Sequence, residues 1–188
     1  VAIAWGDART VELPPFDVVV ASLPYSTSLP ILFRLLEHGF ASGAVLLQDR
    51  QARRLAAAPG APGYSRVSVM AQRLAAVEVV AHVPRDRFVP EPAVDSALVR
   101  LAPHTTPEAS DLDWLRNLLD TLFLHRAKTL EAALRAGGLA AARDRVPARL
   151  RNRRVDRLSP DDFDAVAAAA RAAGLAVPPV PARVKRRR

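Results

Sequence analysis

The 188-residue chain contains no cysteine, which excludes a disulfide framework and any thiolate metal site. Its four histidines, His38, His82, His104 and His125, lie far apart and offer no ligand spacing, so no metal is expected. No apolar run approaches the ~20 residues that a membrane-spanning helix needs, and no signal peptide is visible. A soluble, cytoplasmic, monomeric protein with no membrane partner is the expectation. Glycine is scattered: Gly6, Gly39, Gly43, Gly60, Gly63, Gly137, Gly138 and Gly174 never form a Gly-x-Gly turn between a strand and a helix, the arrangement that cradles a nucleotide-type cofactor. Lysine is nearly absent too, with two residues against 25 arginines. A GC-rich genome would produce that ratio.

What is present suffices for a sizeable core in one or two domains, since 50% of the residues are hydrophobic. Charge is unevenly placed. Residues 1–104 carry ten Arg and nine Asp or Glu, whereas 105–188 carry seventeen Lys or Arg and ten acids. Codon usage explains Arg over Lys but not this asymmetry, and a polyanion such as RNA is the natural partner of the second half.

The most informative segment is Ser22-Leu23-Pro24-Tyr25-Ser26-Thr27-Ser28, directly after the apolar run Asp17-Val18-Val19-Val20-Ala21. A small polar residue, any residue, Pro and an aromatic at the end of a strand is the pattern by which adenine-N6 and related amino methyltransferases hold their target. The amine lone pair is delocalised into the ring, so the amine is a poor nucleophile. A hydroxyl at Ser22 and the carbonyl of Leu23 can accept both N6–H bonds and favour a pyramidal nitrogen, while Pro24 stiffens the backbone and the Tyr25 ring stacks on the base. An ordinary strand-ending Pro-Tyr turn reads the same four residues equally well.

Three further segments carry a likeness. Gly6-Asp7-Ala8 precedes the strand, Tyr64-Ser65-Arg66-Val67-Ser68-Val69-Met70 follows a Pro/Gly-rich stretch, and Phe88-Val89-Pro90-Glu91-Pro92-Ala93-Val94-Asp95-Ser96 comes after that. In this order the chain resembles the rRNA adenine N6,N6-dimethyltransferases, the KsgA-type enzymes of small-subunit rRNA, in wording closer to archaeal and eukaryotic members. The likeness runs from about residue 3 to about residue 160. Macrolide-resistance methylases of large-subunit rRNA share the architecture and are the nearest competitor. A non-catalytic RNA-binding assembly factor is the alternative from another class.

The resemblance implies S-adenosylmethionine as cofactor, small-subunit rRNA in a pre-30S-type particle as partner, and a division of labour among residues. Ser22, Leu23, Pro24, Tyr25 and Phe88 would hold the target adenine, with Phe88 over the base opposite Tyr25. Asp7, Ala8 and Ser22 would face the cofactor, Asp7 accepting its adenine amino group. Arg126, Lys128, Arg153 and Arg154 would contact RNA phosphates. From chemistry alone, Asp95-Ser96 reads as ordering a loop rather than reacting, because methyl transfer to an amine needs no strong base. Two departures stand out: family members carry Asn where this chain has Ser22, and the glycine-rich turn that cradles the cofactor's methionine moiety is missing. The chain therefore reads as an N-terminally truncated member.

Patterning gives a matching architecture, α/β followed by all-α. Strands are expected at 1–4, 18–21, 44–48, 77–83 and 96–101, with helices at 28–37, 49–57 and 65–74. The run 18–21 reads as a strand buried on both faces. Alternation argues for a parallel sheet whose last two strands pair antiparallel, the C-terminal part of a Rossmann-like methyltransferase domain. Beyond it, helices are expected behind Ser110-Asp111, over 126–136, and from Ser159-Pro160 to Gly174. The expected division is 1–103 for the target-adenine half of the catalytic domain, 104–177 for a helical rRNA-binding domain, and 178–188 for a basic disordered tail.

Overall fold

Short apolar runs alternating with helical periodicity in the first hundred residues build a mixed four-stranded sheet. The computed structural model describes residues 3–104 and 109–176. Strand β1 (Val18–Ser22) leads through helix α1 (Ser28–His38) to β2 (Ser42–Gln48), which runs parallel to it with Val18 beside Ser42 and Ser22 beside Leu46. Helices α2 (Asp49–Leu55) and α3 (Arg66–Leu74) come next, then β3 (Ala75–Val83) and β4 (Ser96–Pro103). Strand β4 inserts between β2 and β3 and is antiparallel to both, giving the order β1-β2-β4-β3.

Local chemistry explains the boundaries. Ser65 and Ser68 form a reciprocal capping box at the start of α3, satisfying donors that a helix start leaves open. The Ser68 hydroxyl also donates to the Arg54 carbonyl at 2.6 Å, tying α3 to α2. Between sheet and helices lie Leu32, Leu36, Val45, Leu47, Leu55, Tyr64, Val69, Leu74, Val99 and Leu101, all buried.

Two expectations for this half are corrected. Ile3 and Ala4 belong to no strand, and residues 1 and 2 lie outside the described residues. Strand β1 is an edge strand in the described sheet, and only one of its faces is covered: Val19 is 7% exposed, but Val18 is 61% and Val20 83%. Side chains alternate across a strand, so a continuous apolar run supplies a second apolar face whether or not anything packs on it.

The chain divides into two units, Val1–Pro107 and Glu108–Arg188. The second contains α4 (Ala109–Phe123), α5 (Leu130–Ala136), α6 (Ala148–Arg151) and α7 (Pro160–Ala172). Leu115, Leu118, Leu122, Leu134, Leu150, Leu158 and Phe163 fill its interior, and the Phe123 and Phe163 rings stack at 5.6 Å. Gly137 follows α5 where a Cβ would come within 2.6 Å of the Thr121 methyl on α4, so only glycine permits this approach. Helix α7 begins as expected, with Pro160 at its first turn and Ser159 and Asp162 forming a capping box.

The helix expected over 126–136 starts four residues late. Thr129 caps it by accepting from the Ala132 N–H, and residues 126–129 instead bond to a distant segment: Val155 N–H donates to the Lys128 carbonyl at 3.1 Å and Asp156 N–H to the Arg126 carbonyl at 3.1 Å. Helix α4 starts at Ala109, so Ser110 lies inside its first turn rather than before it. The expected tail, 178–188, lies outside the described residues.

Candidate functional site

At the carboxyl end of the two parallel strands the chain turns sharply away from the sheet. The Leu23 N–H still bonds to the Leu46 carbonyl at 3.3 Å, but Pro24 has no N–H to continue the ladder. Ser22, Leu23, Pro24 and Tyr25 line an open pocket of about 220 Å³ together with Leu46, Phe88, Pro90 and Pro92. All five residues expected to hold the base are therefore in one place. Among the described residues nothing bonds to the Ser22 hydroxyl or the Leu23 carbonyl, which leaves two acceptors for a ligand's amino group.

Tyr25 is held from both ends. Its hydroxyl meets the Ser96 hydroxyl at 2.5 Å. Its carbonyl accepts from the Gln51 amide at 3.3 Å, and the Ser28 hydroxyl, 3.1 Å from the same carbonyl, lies 2.7 Å from the Gln51 amide oxygen. The sequence marks Asp95-Ser96 only as a loop-ordering pair, and neither Ser28 nor Gln51 gives any sequence signal of this role.

The loop that bears Phe88 leaves β3 through a single 3-10 turn, Arg85–Arg87. Its ends are tied by the Arg85 N–H, which donates to the Asp95 carboxylate at 3.0 Å, and Arg85 also pairs with Glu91 at 2.9 Å. A second cavity of about 570 Å³ is lined by Gln48, Asp49, Arg50, Arg85, Ala93, Val94 and Asp95. Beside it His82 lies 3.2 Å from Asp49 and 3.7 Å from Asp95. The Arg53 guanidinium bonded to Asp49 holds its carboxyl below the usual range, against the opposing effect of burial.

Asp7 and Ala8 are not among the residues lining the Ser22 pocket. The Asp7 carboxylate is bonded through both oxygens to Arg9, whose guanidinium, with its backbone N–H, pushes the carboxyl down to about 2. The Ala8 carbonyl accepts from Arg34 at 2.8 Å.

In the helical unit the four expected RNA-contacting residues fall on two segments that run side by side, 126–130 and 153–156. Two nearly buried carboxylates organise them. Asp156 pairs with Arg154 at 2.7 Å and Arg126 at 3.9 Å, and Asp162 pairs with Arg149 at 2.9 Å and Arg153 at 3.0 Å. Lys128 is exposed and has no ion-pair partner among the described residues. Asp156, a lone Asp between arginines, looks like an ordinary solvated charge in the sequence, and Asp162 reads there only as one of the acids in the first turn of a helix. Among the described residues no cluster of His, Asp and Glu could hold a metal ion, and no helix is long and apolar enough to cross a membrane.

Comparison with known proteins identifies the group to which these features belong. The family model "Ribosomal RNA adenine dimethylase" matches residues 9–170. "Probable ribosomal RNA small subunit methyltransferase A" of Pyrococcus furiosus is 42% identical over 135 residues, 72% of this chain and 49% of that protein. The protein of the same name from Methanosarcina barkeri is 34% identical over 175 residues, 89% of this chain and 61% of that protein. Among solved structures, a dimethyladenosine transferase from Plasmodium falciparum matches with TM-score 0.81 and 26% identity, over 92% of this chain and 73% of that one. The 23S rRNA methyltransferase ErmE matches at TM-score 0.61 and 25% identity, over 88% of this chain and 70% of that one. The chain spans about half the length of the first archaeal relatives it matches. With a mixed α/β sheet of the Rossmann-like methyltransferase type and a family match over most of its length, the chain belongs to the ribosomal RNA adenine dimethylase family.

Proposed function

We propose that residues 1–103 supply the target-adenine half, and 104–177 the rRNA-binding domain, of an enzyme that transfers methyl groups to N6 of adenines in small-subunit rRNA. The observation that carries this reading is the pocket in which the unpartnered Ser22 hydroxyl and Leu23 carbonyl sit with Tyr25 and Phe88. Two acceptors on the N6 amine orient its lone pair, and two aromatic side chains hold the base by stacking worth about 1–3 kcal/mol each. No strong base is required, since transfer to an amine depends chiefly on geometry. A base in a single-stranded loop suits such a pocket, because a paired base must first be flipped out. The cationic residues Arg126, Lys128, Arg153 and Arg154 supply sequence-independent affinity for the phosphates of a pre-30S-type particle in the cytoplasm.

S-adenosylmethionine is the proposed cofactor and would supply an electrophilic methyl group. The residues of this chain do not by themselves fit it: Asp7 is filled by Arg9 and the Ala8 carbonyl by Arg34, and no glycine-rich turn is present. The contribution assigned to this chain is therefore capture of the base and the RNA. In the complete enzyme, Tyr25→Ala and Phe88→Ala are each expected to cut methyl incorporation into small-subunit particles strongly while leaving overall RNA affinity nearly unchanged. Wild-type methylation by both variants would overturn the base-pocket reading. Particle binding by an enzyme that never methylates would replace it with a role in ribosome assembly.

A further inference from the structure

We propose that Asp95 and Ser96 are positioning residues that together set the geometry of the base pocket, Ser96 fixing the Tyr25 ring and Asp95 fixing the loop that bears Phe88. This inference rests on the reading of the pocket as an adenine site and adds what holds its aromatic side chains in place.

Ser96 is the first residue of β4, lies beside Gln48 on one neighbour and Val83 on the other, and is fully buried. Its hydroxyl has no solvent to turn to, so the Tyr25 hydroxyl at 2.5 Å is the partner that satisfies it. At the opposite end of Tyr25, the orientation of Gln51 follows from its neighbours. Its NH₂ must face the Tyr25 carbonyl, because an oxygen there would be repelled, and its oxygen then accepts from Ser28. Tyr25 is thus tethered at both its ring tip and its backbone, from β4, α1 and α2, while remaining half-exposed to a ligand.

Asp95 acts on the other aromatic. Its carboxylate accepts the Arg85 N–H at 3.0 Å, closing the segment 85–95 on which Phe88 is carried, and its carbonyl accepts the Asp49 N–H at 3.0 Å, anchoring that closure to α2. Adjacent residues at a strand start point to opposite sides, so one peptide unit serves both functions without conflict. A displacement of this dipeptide would move both base-contacting side chains.

The test uses this chain and a single-stranded RNA oligonucleotide with one 2-aminopurine flanked by pyrimidines. This base lacks the N6 amine and so reads the aromatic clamp alone, its fluorescence being quenched when the ring stacks. Tyr25→Ala should abolish the protein-dependent quench. Tyr25→Phe and Ser96→Ala, which delete the same bond from its two ends, should each weaken the quenched complex about threefold to tenfold, the effect of one hydrogen bond, and the double variant should be no worse than either. Asp95→Ala should weaken it as well, and Asp95→Asn, whose amide oxygen still accepts the Arg85 N–H, should restore it. If Ser96→Ala fails to fold, Tyr25→Phe decides alone. Multiplying effects in the double variant, or full quenching by Tyr25→Phe and Ser96→Ala when Tyr25→Ala loses it, would overturn the positioning role and leave the adenine reading intact. Full quenching by Tyr25→Ala would remove the adenine reading, and the positioning role with it.

Discussion

The carboxylate of Asp162, with only 6% of its side chain exposed, accepts from the Arg153 guanidinium at 3.0 Å and holds that arginine at the surface. The same carboxylate takes Arg149 and closes the capping box of α7 through the Ser159 N–H. An arginine otherwise free to sample many rotamers is thereby pre-oriented, which would reduce the entropy lost in the proposed contact with a phosphate.

Acid should loosen the helical unit through this residue. Burial pushes the Asp162 carboxyl up, but the Ser159 N–H and the Arg149 guanidinium outweigh it and hold the carboxyl below its ordinary value. A group depressed in the folded state contributes stability above its unfolded pKa and loses it as pH falls through the folded one. The wild type should therefore lose stability below about pH 4, the ordinary aspartate range, and Asp162→Asn should lack this component. Urea melts between neutral and acidic pH check it. Asp162→Ala keeps the Ser159 cap but removes the acceptor of the Ser159 N–H, and should cost about 1.5–3 kcal/mol at neutral pH, the value of a hydrogen bond to a charged group.

Neutralising Arg126, Lys128, Arg153 and Arg154 together should weaken RNA binding and flatten its salt dependence by about 0.7–0.9 logarithmic units for each phosphate left without its cation. Filter binding across a salt series measures both. An unchanged slope would assign phosphate binding to other residues.

Ser22 should tolerate lengthening but not loss of its acceptor. Ser22→Asn supplies an amide oxygen one bond further out and should retain or raise methylation in the complete enzyme, whereas Ser22→Ala should lower it. Equal activity of Ser22→Ala and wild type would show that the hydroxyl accepts nothing from the substrate.

Cofactor binding by this polypeptide alone should be weak. Asp7 can offer a single solvent-screened polar interaction and must first release Arg9. Calorimetry with S-adenosylmethionine should show no micromolar binding, and a micromolar constant would contradict this account of Asp7.

The exposed Val18 and Val20 on an edge strand should promote self-association. Val20→Lys, on the uncovered face, should lower light scattering on concentration without reducing the melting temperature.

Much of the site was legible because it is local. Ser22-Leu23-Pro24-Tyr25 ends a strand through the chemistry of Pro24 itself, Ser159-Pro160 starts a helix by capping, and the Phe88 loop is stiffened by its own prolines. Such signals depend on neighbours a few residues away and survive in any tertiary context. Tertiary structure alone decided the rest. Ser96 reaches Tyr25 across 71 positions of sequence, and it does so because β4 inserts between β2 and β3 rather than following β3 at the sheet edge. Residues 126–129 look helical in isolation but give up that helix to bond with 153–156, and β1 looks buried on both faces although only one is covered. Asp156 and Asp162 become organisers of arginines only where the helical core removes them from water. In each case a long-range backbone pairing or a desolvated side chain outweighs local propensity, and neither is encoded within a short window of sequence.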